Sequence, residues 1–170
     1  MDIKTITVIV LRLIHIFSAV YWVGAAWMMA FFIEPSMRAT GPDGQKFMQK
    51  MMEGGRLTIS ITIAAILTVL AGGILYWLNW WNILTTPKGL GFAAGAIIGI
   101  IALGVGAGVT GPASMGLGKL GASIAAGGKP PTPEQLGQIK QLQLRLRQAG
   151  QWTSGLTAAA LFMMAISRYL

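Results

Sequence analysis

The sequence predicts an all-α polytopic membrane protein, a bundle of four transmembrane helices whose two long loops share one side. Three observations predict it. Of 170 residues, 54% are hydrophobic and only 11% charged, and the mean hydropathy of +0.64 is too high for a typical soluble domain. Four segments, about 6–32, 57–78, 90–110 and 152–169, approach the roughly 20 apolar residues that cross a bilayer as helix. Nine of the 13 Lys and Arg fall in the two long connections. A single membrane domain therefore occupies 1–170.

The first segment runs far beyond the roughly 7–15 residues of a signal-peptide apolar region. It carries Arg12 and His15 and ends in FFIEPS without a small-x-small cleavage site, so it reads as a retained helix. In the loop after it, Pro35, Gly41, Pro42 and Gly44 break the chain. Phe47, Met48, Met51 and Met52 then share one face of a short amphipathic helix. The outer turn NWWNILTTPKG follows the second segment, and Tyr76, Trp77, Trp80 and Trp81 form an interfacial aromatic belt there. The third segment places Gly91, Gly95 and Gly99, and again Gly104 and Gly108, at four-residue spacing. Neighbouring backbones can approach closely along such a face, and a planar cofactor could lie against it. The second long loop passes through a Gly/Pro linker to a helix beginning at Thr132, a capping residue, with Pro133 at its first position and Glu134 in its first turn. Leu136, Ile139, Leu142, Leu144 and Leu146 give that helix an apolar side for the membrane surface or the bundle. Arg168 and Tyr169 anchor the last segment at the outer interface.

The charge is distributed by side. Arg38, Lys46, Lys50 and Arg56 occupy the first long loop, and Lys119, Lys129, Lys140, Arg145 and Arg147 the second. Only Lys4, Lys88 and Arg168 lie near the other face, with Arg12 deeper. This positive-inside pattern puts the long loops in the cytoplasm and both termini outside, with anionic lipid headgroups rather than nucleic acid as the partner of the net charge of +8.

The halves of the chain echo each other. Sliding GGRLTISITIAAIL by 95 positions onto AGQWTSGLTAAALF matches Gly55 with Gly150, Thr58 with Thr153, Thr62 with Thr157, and Ala64 and Ala65 with Ala159 and Ala160. At another offset EPSM matches GPASM. Two repeated helical hairpins, each with a cytoplasmic amphipathic helix, would be related by an axis along the membrane normal. His15 falls against Phe92 or Ala93 and has no counterpart.

Function centres on the polar seam of the first segment. Arg12, His15, Ser18 or Ala19, and Trp22 lie on one helical stripe. His15 can hydrogen-bond Ser60, Thr62, Thr68, Thr153 or Thr157, ligate haem or a metal, or contact a proton or quinone. Met28, Met29, Met163 and Met164 are the intramembrane candidates for a second ligand. Arg12 either snorkels to the headgroups or pairs an anion one turn from His15. Glu34 and Arg38, one turn apart, can pair locally. The absence of cysteine excludes disulfides, covalent c-type haem, thiolate zinc and iron–sulfur ligation by this chain. No catalytic constellation is visible, and no acidic residue lies within a span.

At LRLIHIFSAVYWVGAAW, EPSM and the terminal ALFMMAISRYL the chain resembles small bacterial membrane proteins related to the copper-resistance D (CopD) family and, more remotely, the HemJ-type protoporphyrinogen oxidases. His15, Trp22 and Gly24 occupy the opening pattern, and Met163, Met164, Arg168 and Tyr169 the closing one. The resemblance implies a four-helix core in the inner membrane of a bacterium. It also implies haem b, or less readily copper, at His15; Arg12 and Trp22, on the same helical stripe, complete the candidate cofactor site. The leading expectation is a homo-oligomer that binds haem or a metal through His15 for redox chemistry or cofactor handling. The rival expectation is a non-catalytic accessory or scaffold subunit of a larger membrane complex.

Overall fold

The computed structural model describes residues 2–52, 56–80, 84–128 and 130–170. Gly54 and Gly55 of the repeat, Trp81 of the aromatic belt and Lys129 of the second loop lie outside these residues, as do the side chains of Met52 and Trp80. Every regular element among the described residues is helical: α1 Ile3–Met28, α2 Glu34–Ala39, α3 Pro42–Met52, α4 Arg56–Trp80, α5 Pro87–Val105, α6 Gly111–Gly127 and α7 Pro133–Ile166. Wider π-helical turns, Met29–Ile33 and Gly106–Thr110, lead from α1 into α2 and from α5 into α6, and a 3-10 turn, Ser167–Tyr169, follows α7.

Local chemistry fixes the ends. Asp2 caps α1 by accepting from the Thr5 amide, and Thr86 caps α5 by accepting from the Gly89 amide at 3.1 Å with Pro87 at the first position. α7 starts with a capping box in which Thr132 and Gln135 satisfy each other's amides at 2.9 and 3.3 Å. Gly41 and Gly128 take the positive φ that turns the chain after α2 and α6. The expected pair at the inner end of α1 forms, with Arg38 Nε 3.0 Å from Glu34 Oε1.

Among the described residues, three helical runs are long and apolar enough to cross a membrane: Ile3–Ala39, Arg56–Asn79 and Pro87–Gly127. The expected fourth span is the C-terminal half of α7, which is not among them. It carries Thr153, Ser154 and Thr157, all buried, so its polarity faces inward. α1 packs along α4 and α5 along α7, and contacts of α4 with α5 and of α1 with α7 close the bundle. The centre is small: Trp22 fills the space left by Ala64, Ala65 and Ala102. Outward faces are apolar as well, with Phe17, Val20, Ile63, Leu70 and Ile97 exposed. In water such a surface would aggregate, and against lipid it needs no partner.

The second long loop differs from its expectation. The Gly/Pro linker lies between helices as expected, but the residues before it form α6, and the amphipathic helix and the expected fourth span run together as one unbroken helix of 34 residues, α7. Glycines at 111, 116, 118, 121 and 127 argue against helix in isolation. Packing of α6 on α7 reverses that preference, and at Gly116 an added Cβ would lie 3.4 Å from Leu142.

Both π turns directly precede an X-Pro pair, Glu34-Pro35 and Gly111-Pro112. A proline has no amide hydrogen and its ring collides with the carbonyl one turn behind, so the helix widens ahead of it. The Glu34 and Gly111 amides accordingly reach back five residues, to the carbonyls of Met29 and Gly106.

Candidate functional site: the His15 notch

α1 presents His15 to α4. The imidazole Nδ1 lies 2.8 Å from the carbonyl oxygen of Thr68, a half-buried contact between residues far apart in the chain. A carbonyl can only accept, so Nδ1 carries a proton, and in the neutral ring the lone pair is on Nε2. Nε2 has no hydrogen-bond partner among the described residues. The ring fits because position 72 is glycine: a Cβ there would lie 2.7 Å from Cε1 and 2.9 Å from Nδ1. Below it, the buried Thr68 hydroxyl has one proton for two acceptors, Ser18 Oγ at 3.0 Å and the Ala64 carbonyl at 2.8 Å. The notch is therefore a cut-out in α4, lined by backbone and floored by hydroxyls.

Of the five hydroxyl residues considered as partners of His15, the structure selects Thr68, through its carbonyl rather than its side chain. Arg12 is exposed one turn toward the N-terminus, with no ion pair among the described residues. Trp22 lies two turns inward in the core against Ala64, Ala65 and Ala102, so the helix brings it onto the same stripe without bringing it to the imidazole. Met28 and Met29 line an apolar groove with Tyr21, Gly24, Met51 and Leu57. They are 13 or more residues along α1 from His15, about 20 Å at 1.5 Å per residue, too far to share its ligand within one chain. Met164 packs instead on Gly95, whose added Cβ would lie 3.2 Å from its Cγ and Cε. Gly72 and the Thr68 carbonyl are the partners that sequence reasoning missed. The signal available was the pair Gly72-Gly73 inside a span, unfavourable for helix unless something packs there.

The other hairpin has a comparable crossing without the imidazole. An added Cβ on Gly91 would collide with the Ser167 side chain, and Ser167 is fully buried. The offset that aligns Pro35 with Pro112 aligns Ile14 with Gly91, and the 95-residue offset aligns Gly72 with Ser167. One hairpin thus sets a ring on glycine at this level, and the other sets a serine on glycine. Gly99, Gly104 and Gly108 have nothing within 4 Å of an added Cβ, so close packing inside the chain accounts only for the outer part of the glycine face.

Elsewhere polar ties join α1 to α7. Trp27 Nε1 donates to the Ser154 carbonyl at 3.1 Å, and Ser154 Oγ lies 3.0 Å from the Ala26 carbonyl. Tyr21 and Ser60 join α1 to α4 at 2.8 Å. The buried Thr153 hydroxyl has no partner among the described residues. No group of three or more His, Cys, Asp or Glu able to hold a metal ion occurs among the described residues.

Fold and site together define an all-helical membrane protein with one intramembrane imidazole bonded through Nδ1 to a backbone carbonyl. Compared with family models, curated proteins and solved structures, the chain matches none.

Proposed function

We propose that this chain is a four-span membrane protein that binds haem through His15 Nε2. The observation that carries the reading is the Nδ1 bond to the Thr68 carbonyl. Histidines that ligate metals characteristically donate their other ring N–H to a carbonyl or carboxylate, which fixes the tautomer and orients the lone pair. A bare metal ion needs several protein ligands, and the described residues offer no such group. A porphyrin brings four nitrogens of its own and asks for one or two axial ligands, so haem b suits a lone imidazole better than copper does. When bound, haem would supply one-electron chemistry. The chain's own part is to orient Nε2 through Thr68 and Gly72 and to offer Arg12, one turn outward, to a propionate.

One protomer furnishes one axial position. A second ligand would come from a second copy, His15 facing His15 across a two-fold axis, which makes the protein a homo-oligomer. The paired π–proline turns and the crossings at Gly72 and Gly91 support a duplicated hairpin with the C-terminal half of α7 as the fourth span. The charge distribution supports cytoplasmic long loops, outward termini and a bacterial inner membrane. Protein purified in mild detergent should show a Soret band that His15→Ala abolishes. A colourless preparation that takes up neither added haemin nor copper rejects the reading. Cysteines at Asp43 and Ser123 should resist an impermeant thiol reagent in intact cells while one at Thr85 reacts, and the reverse pattern would invert the topology.

A second reading, an accessory subunit of a larger complex, is favoured by a different observation: Gly104 and Gly108 are exposed and meet nothing within the chain. Migration of the gently solubilised protein at the size of its own oligomer, without a partner, would count against it.

A further inference from the structure

The pairing of α5–α6 with α7 outlasts the membrane. Gly91 meets Ser167 and Gly116 meets Leu142, so 25 residues on one side (116 − 91) are matched by 25 on the other (167 − 142). The register is therefore kept through the π turn. At 1.5 Å per residue these 25 residues span about 37 Å, already more than the ~30 Å hydrocarbon layer. Lys88 and Arg168 flank the Gly91–Ser167 level and mark the outer interface. α6 continues 11 residues beyond Gly116 (127 − 116), about 16 Å more. The tip of the α6–α7 hairpin thus stands roughly 20 Å clear of the hydrocarbon, past the headgroups.

That tip is not a bland turn. A groove of about 510 Å³ opens there between the end of α6 and the start of α7, walled by Gly121, Ile124, Pro131, Leu136 and Ile139, with Lys140 on its rim. Leu136, Lys140 and Leu144 follow one another at four-residue spacing and all three are exposed, an apolar and basic stripe on a helix that has left the lipid. Over 111–151 the chain carries Lys119, Lys140, Arg145 and Arg147 among the described residues against a single acid, Glu134. None of these four cations is in an ion pair among the described residues.

We propose that the tip of the α6–α7 hairpin is a docking site for an acidic amphipathic segment of another protein, which seats an apolar side chain in the groove and a carboxylate on Lys140. The charge selects an acidic occupant. By the same rise the groove walls lie about 12–20 Å from the hydrocarbon, beyond the headgroups, and that separation selects protein over lipid headgroup. A buried apolar anchor rimmed by a charge pair is the arrangement that gives such contacts both affinity and direction. The site is separate from the His15 notch and stands or falls independently of the haem reading.

The test uses the full chain in phosphatidylcholine nanodiscs and a fluorescent 18-residue peptide with Leu on one helical face and Glu on the other, empty nanodiscs serving as blank. The Glu peptide should bind, bind more weakly as salt is raised, and lose at least tenfold in affinity on Lys140→Glu or Leu136→Ser. Its Lys-for-Glu counterpart should not bind. Failure of the Glu peptide to bind, equal binding of both peptides, or an affinity within twofold after Lys140→Glu overturns the proposal. A bimane on Ala125→Cys should be quenched by aqueous iodide and not by bromolipid. Quenching by bromolipid would lay the tip on the membrane, and efficient disulfide formation between Ala125→Cys chains would make a second copy the occupant. Either result overturns the acidic partner.

Discussion

Gly72→Ala is the sharpest perturbation of the His15 notch. The added methyl would lie 2.7 Å from Cε1 and 2.9 Å from Nδ1 of the imidazole. Normal van der Waals contact between such atoms is about 3.5–4.0 Å, so the ring must retreat by close to 1 Å. A 2.8 Å hydrogen bond to the Thr68 carbonyl then stretches past the distance at which it counts as one. The lost bond costs about 0.6 kcal/mol by the average for membrane interiors, and overpacking adds about 1–3 kcal/mol. Replacing a helical glycine by alanine returns up to ~1 kcal/mol. The net loss should be about 1–2 kcal/mol. Gly73→Ala is the internal control, since its added Cβ meets nothing within 4 Å, and it should be neutral or slightly stabilising. Reversible unfolding in mixed micelles measures both. In a His15→Ala background the cost of Gly72→Ala should vanish, because the atoms it strikes are gone. If Gly72→Ala and Gly73→Ala unfold alike, or if the cost persists without His15, the imidazole does not occupy the notch.

The second hairpin gives a parallel case: Gly91→Ala should destabilise through Ser167, and Ser167→Gly should restore most of the loss in the double variant, in the same unfolding assay. Thr153→Val keeps the shape while deleting a buried hydroxyl without a partner; it should stabilise by about 1 kcal/mol, and clear destabilisation would mean that the hydroxyl is satisfied after all. At the start of α7 the free backbone amides at Glu134, and then the Thr132 hydroxyl, hold the Glu134 carboxyl below its ordinary value. Since the folded value is the lower one, its support of the first turn is present above the ordinary carboxylate range and fades as pH falls through the folded value. Amide exchange at Leu136 and Gly137 should accelerate, relative to intrinsic rates, on acidification below pH 4.5. Glu134→Gln should flatten that dependence.

Class and element placement could be read from sequence because they rest on local quantities. Apolar length placed three runs long enough to cross a membrane. Thr132 and Pro133 marked the start of α7, and the Glu34–Arg38 spacing its ion pair, because capping and i,i+4 contacts depend on a few residues and one helical geometry. The polar seam also singled out His15, since one titratable group in an apolar run is conspicuous.

Tertiary structure decided what surrounds that group. Nothing local says that His15 faces Gly72 or that its partner is the Thr68 backbone, because a carbonyl has no sequence signature and the pairing depends on how α1 and α4 cross. Trp22 shares the stripe of His15 and yet belongs to the core, since a stripe is continuous along a helix while its neighbours change at every turn. α6 was hidden for the same reason. Its glycines weaken the helix alone, and the packing on α7 that offsets them is a gain that exists only once both helices are in place.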